Sequence, residues 1–230
     1  MKIGILQPGY LPWLGFFEQL YQSDVFVIYD DVQYDKQGWR NRNRIKTANG
    51  IQWLTVPILF KLREAPRVCD VTIARNVQWR KKHLRSLHLN YAKAPYYKKY
   101  IDIFEEIYSR EWVYLAELDI YCISQLAWCL GINEKPVIRS SSLNIQGDTL
   151  ERLVRVCQHF EADIFYEGAA GRNYIDTHYF AKQGITVQYQ NYHHPVYNQL
   201  YGEFVPYLSV IDLLFNHGDE SLSILLGGNV

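Results

Sequence analysis

KIGILQPGYLPWLGFFEQLYQSDVFVIYDD, residues 2–31, decides the fold class. Lys2 to Leu6 read as a short buried strand and Val25 to Tyr29 as another, while Leu14 to Tyr21 between them carry apolar side chains at helical spacing. Strand, helix and strand in that order make a βαβ unit, for which chirality predicts a right-handed crossover and two parallel strands.

Working outward, residues 51–58 (IQWLTVPI) read as a third strand after the turn signal Asn49-Gly50. Residues 78–91, 94–108 and 113–130 carry helical spacing, interrupted at Pro95 and ended by Gly131. The strand period returns at 136–139, followed by an amphipathic helix over 149–161 capped by Asp148 or Thr149. Strands at 163–166 and 185–190 bracket a short helix that ends at Gly184, and a last helix covers 206–217 with Ser209 or Pro206 near its start. The pattern predicts one α/β domain over 1–230, a mainly parallel Rossmann-like sheet with helices on both faces, and a largely helical insertion at about 76–131.

The chain carries 24 basic and 24 acidic residues, so its overall charge favours neither a nucleic-acid backbone nor an anionic membrane as partner. Cys69, Cys122, Cys129 and Cys157 form no CxxC pair, which argues for buried thiols rather than zinc or a redox pair. No charged-then-apolar leader precedes the first strand, and no apolar run approaches the roughly 18 residues of a membrane span. The expectation is a cytoplasmic protein without membrane insertion. Aromatic residues make up 15%, with 19 Tyr and 6 Trp, and such side chains line pockets as readily as they fill cores.

In an open parallel sheet, ligands bind beyond the carboxyl ends of the strands, where the strand order reverses. That rule points at Gln7, at Asp30 and Asp31, at Glu167-Gly168, and at the stretch from Tyr192 to His194. After the first strand, Pro8, Gly9 and Pro12 force a turn whose amides can face an anion, with Tyr10 and Trp13 beside it. Trp13-Leu14-Gly15-Phe16 has the spacing of the HxGH motif of nucleotidyltransferases, with both histidines replaced by aromatics. The stretch therefore reads either as a distant geometric relative of that site, lacking its phosphoryl-stabilising groups, or as an aromatic plug between helix and sheet.

Residues 40–46 read as a polar loop in which Arg42, Asn43 and Lys46 can grip an anionic sugar nucleotide, or as a solvated basic loop balanced by aspartates. His83, beside Lys81 and Lys82 on a helix, is either a neutral general base or a structural histidine. In EGAAGRNYI, residues 167–175, Gly168 and Gly171 allow a ligand close to the main chain, with Arg172 and Tyr174 adjacent, yet neither a P-loop nor GxGxxG is present. Further on, His194, Tyr197 and Gln199 gather around Pro195, and Asp212 reads as a buried, hydrogen-bonded anchor. No residue is assigned to a metal.

Taken in order, QPGYLPWLGFF, SDVFVIYDDVQY, RNRIKT, WLTVP, KKHL, YEGAAGRNYI, HPVYNQL and SVIDLLFN resemble the WbqC-like family over residues 2 to 218. The resemblance implies a bacterial setting in O-antigen (lipopolysaccharide) or related surface-polysaccharide biosynthesis and a role in glycyl or similar aminoacyl transfer. Gln7, Asp30, Asp31, Arg42, Asn43, His83, Gly168, Gly171, Tyr174, Pro195, Tyr197 and Gln199 fall inside its motifs.

Three functions follow as expectations. The first is a transferase that places a small acyl or aminoacyl group on the amino group of a nucleotide-linked sugar. His83 or His194 with Asp30 would be its catalytic groups, amides near Gly9 or Gly168 its oxyanion donors, and Arg42 or Arg172 its phosphate grip. The donor is open, acyl-CoA or another activated acyl compound. The second is a nucleotidyltransferase-like enzyme that activates a small acid with ATP, and the third a sugar-nucleotide-binding protein without catalysis.

Overall fold

A computed structural model describes residues 1–36, 38–59, 65–75 and 77–227. In chain order the elements begin with β1 (Lys2–Leu6), α1 (Leu14–Gln22), β2 (Val25–Ile28), β3 (Arg42–Thr47), β4 (Gly50–Thr55), β5 (Ile58–Leu59) and β6 (Thr72–Ile73). Three helices follow: α2 (Trp79–Tyr91), α3 (Tyr97–Ser109) and α4 (Leu115–Cys129). The chain then runs through β7 (Val137–Arg139), α5 (Thr149–His159), β8 (Ile164–Glu167), α6 (Thr177–Lys182), β9 (Thr186–Tyr189), α7 (Val210–His217) and α8 (Ser221–Leu225).

The central sheet has the order β7-β2-β1-β8-β9, and each adjacent pair is parallel. From β1 the order runs outward to β2 and β7 on one side and to β8 and β9 on the other, so it reverses between β1 and β8. This is the Rossmann-like arrangement expected from the sequence, and the reversal opens a crevice at the carboxyl ends of those two strands.

Strand periodicity divides the core into two layers. Ile3, Ile5 and Val27 pack with Leu153, Val154 and Cys157 of α5 and Phe180 of α6. Phe26 and Ile28, pointing the other way, pack with Leu14 and Phe17 of α1, with the α2 to α4 segment, and with α7. Gly4 faces this second layer, where an added Cβ would stand 2.5 Å from the Ser23 hydroxyl and 2.9 Å from the Phe26 ring. The absent side chain lets the end of α1 settle against the sheet.

The expected helices over 78–91, 94–108 and 113–130 correspond to α2, α3 and α4. Asn76, at the start of the expected insertion, lies outside the described residues. The polar loop expected at 40–46 is corrected. Arg42–Thr47 is a strand, paired antiparallel with β4 from Arg42↔Thr55 to Thr47↔Gly50, and this hairpin is separate from the central sheet. The run expected as one strand over 51–58 accordingly breaks into β4 and the two-residue β5. Among the described residues no helix is long and apolar enough to cross a membrane.

Candidate functional site

The carboxyl ends of β1, β2 and β8 and the start of α5 surround a cleft of about 570 Å³. Gln7 and Leu6 supply one wall, Tyr29 and Asp31 a second, Arg152 and the Gly147-Asp148-Thr149 turn a third, and Glu167, Tyr174 and Arg40 complete it. Asp148 caps α5 by accepting from the Glu151 amide at 2.9 Å.

Glu167 is the last residue of β8 and only 5% exposed. Burial raises its carboxyl to about 7, although the Tyr174 hydroxyl and the Gly168 amide, both bonded to it, pull the other way. Tyr174 donates to Oε1 at 2.9 Å. Gly171 makes room: a Cβ there would lie 2.3 Å from Glu167 Cγ. The turn EGAAGRNY thus shapes the surroundings of a carboxylate, where sequence reasoning looked to its glycines for main-chain contact. Gly168 follows the strand, its nearest neighbour for an added Cβ being Gln19 Oε1 at 3.9 Å. Arg172 lies over the Tyr189 ring at 4.5 Å and does not line this cleft.

Arg40 was legible only as one member of a basic run, yet it holds the first turn together. Its Nη1 donates to the carbonyls of Gln7 at 3.1 Å and Pro8 at 3.2 Å, and the Tyr10 amide donates to its carbonyl at 3.0 Å. Burial lowers its pKa, offset by the carboxylates of Asp119 and Asp35. Gln7 Oε1 is shielded from solvent and has no hydrogen-bond partner.

The two aspartates after β2 do different things. Asp30 is fully buried, accepting from Arg139 Nε at 2.7 Å, from the Ser141 amide at 2.9 Å and from the Ser141 hydroxyl at 3.0 Å. Its oxygens therefore fasten the end of β2 to the turn after β7. Asp31 reaches the cleft and pairs there with Arg152 and the Ser140 hydroxyl. Among the described residues no group of three or more His, Cys, Asp or Glu side chains is placed to hold a metal ion.

His83 lies away from the cleft. It is 6% exposed and meets the Tyr10 hydroxyl at 2.9 Å through Nδ1, and that hydroxyl also bonds Tyr108. Burial, rather than the neighbouring lysines, lowers its pKa to about 4. Its spacing with Trp79, Leu87 and Tyr91, all buried on the same face of α2, was the sequence signal for this core position.

A second cleft, of about 410 Å³, shares Leu6 and Arg40 with the first. Gly9, Pro12, Trp13, Trp39, Asn43, Arg44 and Tyr207 also line it. Trp13 precedes α1 and folds back over Gly15, where a Cβ would meet the indole at 2.3 Å. Phe16, at the other end of the HxGH-like spacing, is buried against Phe17 and Phe26. At Gly9 an added Cβ would press on the Trp39 carbonyl at 3.1 Å.

Asn43 donates to the carbonyls of Leu11 at 2.7 Å and Tyr10 at 3.3 Å, so its amide shapes the first turn. Arg42 stacks over Trp53 at 5.0 Å, and Arg44 over Trp39 at 5.0 Å. His194 borders this second cleft without lining it. Its Nδ1 donates to the Pro195 carbonyl at 2.8 Å, its Nε2 accepts the Tyr207 amide at 3.1 Å, and its ring stacks on Trp13. Burial lowers its pKa, which suits a neutral ring with one donor and one acceptor.

Lys46, Tyr197 and Gln199 serve the core. Lys46 Nζ donates to Gln199 Oε1 at 3.1 Å, while Tyr91 and Tyr197 donate to Asp212 at 2.8 and 3.1 Å. Asp212, raised to about 6 by burial, is the hydrogen-bonded anchor expected from the sequence.

The family model described as "WbqC-like protein family" matches residues 7–224. The chain is also 36% identical over 222 residues to "Uncharacterized protein Rv1507c" of Mycobacterium tuberculosis, a match that covers 96% of this chain and 95% of the relative. No solved structure matches.

Proposed function

The chain belongs to the WbqC-like protein family, and we propose that it is an enzyme transferring a small acyl or aminoacyl group, glycyl among them, to the amino group of a nucleotide-linked sugar. In this reading Glu167 is the general base, the role that the sequence suggested for His83 or His194. The observation that carries it is a buried carboxyl at the β1/β8 reversal, open to a ligand-sized cleft and raised to about 7. A base of that strength is half ionised near neutral pH, where it can accept a proton from an attacking amine.

The sugar amine attacks the carbonyl carbon of an activated donor such as an acyl thioester. A C–N bond forms, the bond to the leaving group breaks, and Glu167 takes the proton lost by nitrogen, which then passes to the departing thiolate. Arg40 supplies positive charge on the same wall for the oxyanion that forms in transit. The sugar setting comes from the surface-polysaccharide association implied by the family resemblance.

The test incubates the protein with UDP-, dTDP-, GDP- or CMP-linked amino sugars and a panel of acyl and aminoacyl thioesters, read by mass spectrometry. Expected is one acylated sugar nucleotide, with the rate reduced at least a hundredfold in Glu167→Gln. Product formed at an unchanged rate by that variant would overturn the assignment of the base.

A further inference from the structure

We infer that the second cleft is the seat for the base and diphosphate of a nucleotide, separate from the chamber where Glu167 acts. The inference rests on the reading of the substrate as nucleotide-linked, and it assigns the two halves of that substrate to two adjoining recesses that meet at Arg40.

The walls of the second cleft select the chemistry. Trp13, Trp39 and Tyr207 present aromatic surface, and Trp39 and Tyr207 remain 42% and 51% exposed. Exposed aromatic faces around one recess favour a planar ring. Besides the Tyr207 hydroxyl and the indole N–H groups, the polar side chains of the lining are Asn43, Arg40 and Arg44. Asn43 gives its amide to two carbonyls and its oxygen to the Arg44 amide, leaving the guanidinium groups of Arg40 and Arg44. The Nε atoms of both arginines are shielded from solvent and lack a hydrogen-bond partner. No carboxylate is among the described lining residues. Two guanidinium charges with no carboxylate beside them in the lining suit an anion more than the hydroxyls of a bare sugar, and a planar ring joined to an anion describes a nucleoside diphosphate.

The recess is also built to hold one shape. Tyr207 adopts φ +59°, a left-handed conformation costly for a bulky side chain. It is held there from both sides: Arg44 Nη2 donates to its carbonyl at 2.9 Å, and its amide donates to His194 Nε2 at 3.1 Å. His194 is thereby a positioning residue for an aromatic wall.

The experiment titrates the full-length protein with UDP, dTDP, GDP and ADP, with inorganic pyrophosphate, and with the matching nucleosides, following tryptophan emission and heat of binding. One nucleoside diphosphate is expected to quench emission and to bind on the order of tenfold tighter than its nucleoside or pyrophosphate alone. Trp39→Ala and Arg44→Gln should each weaken it by about tenfold, and Tyr207→Ala, at an exposed side chain, provides a third variant with little folding risk. Glu167→Gln should bind it like the wild type while losing transfer. Absence of binding by all four diphosphates, or affinity held within twofold in the Trp39, Arg44 and Tyr207 variants, overturns the inference. Diphosphate binding with these losses but no acyl transfer to any sugar would leave this site standing and remove the proposed reaction. Transfer with an unchanged KM in the three variants would do the reverse.

Discussion

The Tyr174 hydroxyl donates to Glu167 Oε1 at 2.9 Å, across a turn in which Gly171 has no Cβ to press on the Glu167 side chain. This bond stabilises the ionised carboxylate and so works against the burial that raises its pKa. In Tyr174→Phe the carboxyl should therefore rise further, by on the order of one pKa unit. The rate of transfer, which needs the ionised base, should climb through a midpoint near 7 in the wild type and at a higher pH in the variant. A pH–rate profile that does not move would contradict the coupling.

Gly171→Ala forces a methyl to within 2.3 Å of Glu167 Cγ, and the strand end must shift to admit it. A cost of roughly 1–3 kcal/mol in unfolding free energy is expected, with a fall in kcat larger than any change in KM. Denaturant melts and steady-state kinetics measure the two separately.

Stability should also report the buried acid. Glu167 goes from an ordinary value of 4.5 to about 7 in the fold, so the folded state favours the protonated form. That contribution is complete below pH 4.5 and is lost as pH rises through about 7. Asp212, raised from 3.8 to about 6, acts in the same sense. Glu167→Gln should thus gain stability over the wild type on going from pH 5 to pH 8, by roughly 1–3 kcal/mol. Parallel pH-dependent melts that leave the difference constant would exclude a raised carboxyl.

His83 has the opposite sign. Its folded pKa is depressed from 6.5 to about 4, so its contribution is present above 6.5 and is lost as pH falls through about 4. His83→Ala should lower stability by roughly 2–4 kcal/mol at pH 7, because it opens a core cavity and removes the partner of the Tyr10 hydroxyl. Its per-molecule turnover at low temperature, where it stays folded, should be close to wild type. A loss of turnover by orders of magnitude in folded protein would restore His83 as a base.

Asp30→Ala should likewise act on folding. It strips the buried acceptor from Arg139, Ser141 and the Ser141 amide, at a cost of roughly 2–4 kcal/mol. Thermal melts should register the loss, while the nucleotide affinity of the remaining folded fraction stays unchanged.

The sheet was legible because its strands are short apolar runs set between helices of clear period, and because the βαβ order leaves few topologies. Gln7 and Asp31 were legible for the same reason, since strand ends mark the crevice. The β3–β4 hairpin was hidden: Arg42, Asn43 and Arg44 alternate faces like any strand, but the inward residue Asn43 is polar and the outward arginines rest on tryptophan rings. Glu167 stood at a strand end, yet its proton affinity is set by burial in the folded chain, which a strand end does not announce. His83 was drawn toward chemistry by the lysines beside it, although Trp79, Leu87 and Tyr91 at four-residue spacing marked a core face.

The most direct check is a ¹³C NMR titration of the Glu167 side-chain carboxyl in the folded protein, assigned by its disappearance in Glu167→Gln. A midpoint near 7 is predicted. A midpoint near the ordinary glutamate value of about 4.3 would contradict the account, because a carboxylate so weakly basic is a poor proton acceptor for the amine.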